Sequence, residues 1–193
     1  MRTFPKLTLQ LPDYLLPELP AENEAISSAD ARMELVIKLS RVNIENGGGP
    51  FAAGIFCMDS HTLLAPGVNL VVPTNCSVAH AEMIAIMFAE QVAESFNLAD
   101  KGSYELITSS EPCAQCFGAI PWSGVKRVVY GATRFDVEKI GFEEGPKPEK
   151  WEAALESRGI QVEGPRLQAK AAQVLLDYLE AGNAIYNGGD VPK

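Results

Sequence analysis

The sequence predicts a three-layer α/β/α domain on a mixed central sheet of about five strands, and three observations predict it. Residues 50–57 and 62–72 are two apolar segments of strand character joined across Asp59-Ser60-His61, which makes an antiparallel hairpin. Leu106-Ile107-Thr108, the segment opened by Pro112, and Val125 to Tyr130 follow as strand, helix, strand, a parallel unit with a right-handed crossover. Around these lie segments of helical period, one of them apolar on most sides and so expected to be covered on both faces. A chain of 193 residues at 47% hydrophobic composition supports one such core without disulfide staples.

The elements follow in order. Residues 1–26 form an arm in which prolines at 5, 12, 17 and 20 break any helix, while Leu7, Leu9, Leu11, Tyr14, Leu15 and Leu16 keep no period. Such an arm is expected to pack on the surface or on a partner subunit. The domain proper is read as 27–182. Ser27-Ser28 before Asp30 signals a helix start, and Gly47-Gly48-Gly49 stops the helix carrying Met33, Val36, Ile37 and Ile44. The return strand of the hairpin runs through Val68-Asn69-Leu70-Val71-Val72 and leads towards His80. A helix from about Ala79 carries Met83, Ile84, Ile86, Met87 and Phe88. Trp151 to Arg158, ended by Gly159, is a further helix, and Ile160-Gln161-Val162 an edge strand. Leu167, Ala171, Val174, Leu175, Tyr178 and Leu179 define the last helix, closed by Gly182, and residues 183–193 form a tail.

Charge and composition weigh against several classes. A net charge of −9 and a pI near 4.8, with no basic run, argue against a nucleic-acid partner, because binding a polyanion rests on clustered Lys and Arg. No stretch reaches the roughly 18 apolar residues of a membrane span, and the N-terminus has no apolar signal core. Of four cysteines, Cys57 lies in an apolar run and Cys76 reads as a loop or core thiol, which points to a reducing compartment, most simply the cytoplasm.

The chemistry is carried by His80-Ala81-Glu82 and by Pro112-Cys113-Ala114-Gln115-Cys116. One imidazole and two thiolates make three corners of a tetrahedral zinc site, and the open fourth corner belongs to catalytic rather than structural zinc. Zinc there lowers the pKa of a bound water to about 7. Cys113 and Cys116 lie within about 60° on one helix face, whereas His80 and Glu82 are about 200° apart and can meet only beyond a helix N-terminus. The metal is therefore expected where two helix N-termini converge, whose dipoles favour thiolate.

The H-x-E and P-C-x-x-C pair is the signature of the zinc nucleobase deaminases. With Gly48-Gly49-Pro50-Phe51, Thr108-Ser109-Ser110-Glu111-Pro112-Cys113, Gly118-Ala119-Ile120, Trp122 and Gly141-Phe142-Glu143-Glu144, the chain resembles the cytidine-deaminase-like superfamily, and within it the guanine deaminases of bacterial type. Gly48 to Phe51, Ala79-His80-Ala81-Glu82 and Thr108 through Cys116 also resemble tRNA adenosine deaminases, and Gly141-Phe142-Glu143-Glu144 separates the two groups. The resemblance implies the cytidine-deaminase-like fold, Zn2+ on His80, Cys113 and Cys116, and Glu82 as proton shuttle. It further implies a purine pocket with Asn69 as hydrogen-bond partner, Phe51 and Trp122 as walls, His80, Ala81 and the tail's Tyr186 at the substrate, and a carboxylate from Glu143-Glu144. Aspartates are usual where this chain has Glu143 and Glu144, which leaves open which of the two faces the substrate. The implied reaction is hydrolysis of guanine to xanthine and ammonia, without an organic cofactor, in a homodimer whose C-terminal tail caps either its own site or, by exchange between subunits, the neighbour's. Deamination of another base (adenosine in tRNA, cytosine or cytidine) and a catalytically silent zinc module are the rival readings.

Overall fold

The structure, a computed structural model, describes residues 2–6 and 8–188, so Leu7 of the arm and residues 189–193 of the tail lie outside the described residues. Helix α1 (Ala29–Glu45) begins where Ser28 accepts from the Ala31 N–H at 3.0 Å, and the chain turns out of it at Gly47, whose φ of 81° suits a residue without Cβ. Strands β1 (Ala52–Cys57) and β2 (Leu63–Val68) form the expected antiparallel hairpin. The return strand ends four residues earlier than its apolar run: Leu70 donates to the Ala79 carbonyl at 2.9 Å rather than to a strand, and Val71–Thr74 coil into a short helix, α2.

Helix α3 (Ala81–Ala93) is followed by β3 (Tyr104–Ser110), α4 (Ala114–Ser123) and β4 (Arg127–Ala132), the parallel unit read from the sequence. A helix not anticipated, α5 (Arg134–Lys139), opens on a capping box between Thr133 and Asp136, a local signal present in the sequence. Helix α6 (Trp151–Glu156), strand β5 (Gln161–Glu163) and helix α7 (Gln168–Glu180) complete the chain. The sheet order is β2-β1-β3-β4-β5, with β1 antiparallel to both neighbours and β4 parallel to both of its own.

Side-chain alternation builds the three layers. Leu106 and Val128 point into one core with Ala81, Ala85, Ile120 and Leu155 of α3, α4 and α6; Ile107 and Val129 point into the other with α1, α5 and α7. Glu105, two residues from Ile107, is fully buried and is neutralised by Arg32 of α1 at 2.8 Å and by Arg127 Nε at 2.7 Å. The arm packs on its own domain. A 3-10 turn over Asp13–Glu18 buries Leu15 completely, and Tyr14 Oη donates to Asn43 Oδ1 of α1 at 2.8 Å.

Candidate active site

The first turns of α3 and α4 meet at one cavity of about 390 Å³. His80 is the N-cap of α3 with Glu82 in its first turn, and Cys113 is the N-cap of α4 with Cys116 in its first turn. This corrects one detail of the sequence reading: Pro112 does not open the helix. It stands just before the cap, where its carbonyl is taken by Lys147 Nζ at 2.6 Å. Cys113 and Cys116 still converge, because an N-cap side chain lies over the first helical turn.

The donor set fits zinc. His80 Nδ1 lies 3.4 Å from Cys113 Sγ and 3.6 Å from Cys116 Sγ, and all three ligand atoms are within 4.8 Å of one another. Zn–S bonds near 2.3 Å and Zn–N bonds near 2.0–2.1 Å at a tetrahedral angle separate N from S by about 3.6 Å. Without the ion, the Cys116 hydrogen bond holds Cys113 down at about 4 against burial, with His80 helping. Donating that hydrogen bond and being buried push Cys116 well up. Burial presses the His80 imidazole down, but the hydrogen bond and charge of Cys113 outweigh it and the net shift is upward. A dication reverses this sharing of protons by favouring two thiolates and a neutral imidazole. Glu82 is buried in the same corner, and burial, then the Cys113 charge, raises its pKa.

Glu143 and Glu144 differ in their surroundings. Glu144 is 5% exposed, and its backbone carbonyl accepts from the Ala114 N–H at 2.8 Å, which fastens it to the start of α4. Its Oε2 is buried with no partner among the described residues. Burial, then the Cys113 charge, raises its pKa to about 8 against the lowering pull of Lys147. Without the ion, the carboxyl therefore favours its protonated form at neutral pH. Glu143 also borders the cavity but is exposed, and its N–H donates to Asn187 Oδ1 at 2.9 Å.

The remaining predicted residues divide. Asn69, Phe51 and Tyr186 border the cavity. Phe51 meets Phe142 edge-on at 5.2 Å, and Phe142 meets Tyr186 at 4.9 Å, so Phe142 belongs to the wall although only its neighbours were singled out. Tyr186 and Asn187 bring the tail over the cavity of their own chain, with Tyr186 Oη donating to Asn69 Oδ1 at 2.8 Å. Ala81 is fully buried in the first turn of α3 and does not border the cavity. Trp122 is 78% exposed and does not line it either. Six residues beyond Cys116, it is turned about 240° around α4, away from the metal face. Cys57 and Cys76 are half-buried and outside the ligand cluster.

One structural group gave no signal in the sequence. Lys147, with its side chain 1% exposed, pairs with Glu111 Oε1 at 2.6 Å and lies 4.7 Å from the Trp151 ring centroid. Glu111 Oε2 accepts from the Arg134 N–H at 3.0 Å. The segment after Glu144 thus reaches back to both sides of Cys113, through Pro112 and Ala114.

The cytidine and deoxycytidylate deaminase zinc-binding region matches residues 26–132, which hold all three ligands and Glu82. The chain belongs to this family. Within the family, a guanine deaminase from Nitrosomonas europaea is 42% identical, covers 93% of this chain and 100% of its own, and superposes with a TM-score of 0.87. A homologue solved in complex with 2,6-diaminopurine is 44% identical over 93% of this chain and 96% of its own, also at 0.87. The guanine deaminase of Bacillus subtilis is 40% identical over 97 residues, half of this chain and 59% of that protein. The five-stranded mixed α/β fold is the one these family members share, and the zinc site is the family's. Among the described residues, no helix is long and apolar enough to cross a membrane.

Proposed function

We propose that the protein is a zinc-dependent guanine deaminase, a hydrolase that converts guanine and water to xanthine and ammonia at a cyclic amidine carbon. The observation that carries this reading is Glu144: a buried carboxyl with an unpartnered oxygen, in the same cavity as the metal triad and Glu82. The guanine deaminases at 42% and 40% identity support it. Guanine presents its N1–H and C2 amino group side by side as donors, which a carboxyl oxygen accepts.

Zinc bound by His80, Cys113 and Cys116 supplies a water activated at neutral pH. The chain's own groups move the protons. Glu82, held ionised beside the cation, takes the proton released as the water oxygen adds to C2 and passes it to a ring nitrogen. Glu144 enters with its proton and delivers it to the amino group as the C–N bond breaks, so ammonia departs neutral, and the proton left on the added hydroxyl passes to Glu144 as the C2 carbonyl forms, which restores the acid. Phe51 and Phe142 form an apolar wall for the ring, and the tail segment of Tyr186 and Asn187 limits access of bulk water.

The proposal includes a homodimer: Val92, Phe96 and Trp122 are exposed apolar side chains that such an assembly would cover, and the Tyr186 and Asn187 contacts made in trans would give tail exchange. The four free cysteines support a reducing compartment such as the cytoplasm. The deciding experiment measures ammonia release from zinc-loaded protein given guanine, guanosine, adenine, cytosine, cytidine or a tRNA anticodon stem-loop. Guanine is expected to be turned over fastest; release from another base or the stem-loop with none from guanine would overturn the reading.

A further inference from the structure

Asn69 is tied to both ends of the chain, directly to Tyr186 of the tail and through Asn43 to Tyr14 of the arm, and both tyrosines lie outside the family match at 26–132. From the arm, Tyr14 Oη donates to Asn43 Oδ1 at 2.8 Å. With its oxygen engaged, the fully buried Asn43 amide turns its nitrogen to two carbonyls, Gly49 O at 2.8 Å and Asn69 O at 2.9 Å. This fixes the main chain of Asn69. From the tail, Tyr186 Oη donates to Asn69 Oδ1, and the same oxygen accepts from the Val71 N–H at 3.2 Å.

A backbone N–H only donates, so the Asn69 amide is oriented with its oxygen towards Val71 and Tyr186. Its Nδ2 has no acceptor among the described residues. Asn69 is 2% exposed and borders the cavity, so that nitrogen is the face it offers a ligand. The two glycines before Pro50 make the arrangement possible. A Cβ on Gly48 would stand 2.3 Å from Asn43 Nδ2, and one on Gly49 would stand 1.9 Å from Tyr186 Oη. Burial raises the phenol pKa of both Tyr14 and Tyr186, so both remain donors throughout the working range.

We propose that Tyr14 and Tyr186 are positioning residues which lock Asn69 as a donor-only group, so that the site selects a ring edge made of acceptors, such as O6 with N7 of a 6-oxopurine. The inference rests on the guanine reading and assigns the arm and the tail to substrate selection at that site. Replacing the 6-oxo group by an amino group puts donor against donor unless the amide turns over, and turning it over sets Nδ2 against the Val71 N–H and forces the Tyr186 hydroxyl to turn from donor to acceptor.

The test is a calorimetric titration of the zinc-loaded full chain with 8-azaguanine and with 2,6-diaminopurine. The readout is the ratio of the two affinities, which a general loosening of the fold does not move. Tyr186→Phe keeps the ring against Phe142 and removes one hydrogen bond from the lock, so the preference for the 6-oxo base is expected to fall about five- to tenfold. Gly49→Ala, which displaces the Tyr186 hydroxyl and also crowds the Asn69 amide, should give a fall at least as large. Tyr14→Phe, acting through Asn43, should give a fall in the same direction of about two- to threefold. Wild-type protein that releases ammonia from guanine while all three variants keep the wild-type ratio would overturn the inference alone. Wild-type protein that binds neither purine and leaves guanine intact would overturn the guanine reading with it.

Discussion

Substituting Glu144 and Glu143 singly by Gln should give sharply unequal losses. Glutamine matches the shape of Glu144 but has no proton to give. The tie to α4 runs through the Glu144 backbone carbonyl, so the first turn around Cys113 and Cys116, and hence the metal, should be kept. At pH 7, one unit below a pKa of about 8, roughly nine-tenths of Glu144 carries its proton. The substitution therefore removes a general acid that is almost fully primed. Loss of such a group costs about 10²- to 10⁴-fold in turnover, or about 3–5 kcal/mol of barrier at 1.36 kcal/mol per decade. Glu143 is exposed and fastened through its backbone N–H, so Glu143→Gln should stay within about threefold of wild type. The pH profile supplies a second readout. Because burial raises the Glu144 pKa, the acid form is present below about 8 and is lost as pH rises through it. Wild-type turnover should decline on that alkaline side, and Glu144→Gln should lack that limb. The measurement is steady-state ammonia release from pH 6 to 9 on protein with its zinc content checked. Equal mild losses, or a larger loss at Glu143, would refute the assignment.

Protein purified without chelator should carry close to one zinc per chain by elemental analysis, and Cys113→Ala or Cys116→Ala should lose both metal and turnover; full activity in metal-free protein would remove the metal from the reaction. Glu82→Gln should hold its zinc and lose about 10²-fold or more in kcat, with near-normal turnover of the zinc-loaded variant counting against the shuttle. Lys147→Met should leave the Glu111 carboxylate buried without its cation, at a cost of about 3–5 kcal/mol, which for a chain of this size lowers Tm by roughly 6–20 °C in calorimetry. A change below about 2 °C would show that the backbone N–H of Arg134 suffices to hold Glu111.

What the sequence determined by itself was local. Chain order and a period of two or 3.6 residues are properties of neighbouring positions, so the hairpin, the parallel β3-α4-β4 unit and the last helix were all legible. The metal triad was legible for the same reason: His80 with Glu82 and Cys113 with Cys116 are each spaced within a single helical turn, and both pairs lie at helix starts. Period does not say which side chains from distant segments share a volume. Trp122 sits close in sequence to the metal ligands and faces away, whereas Tyr186 lies 117 positions from Asn69 and bonds to it. Glu143 and Glu144 are adjacent and chemically identical, and only the tie from Glu144 to Ala114 buries one and leaves the other to solvent. Lys147 reads in the chain as an ordinary charge in a polar, proline-bearing stretch. It becomes a buried ion-pair partner because the fold lays that stretch across Glu111 and Pro112 and removes the water that would have solvated it.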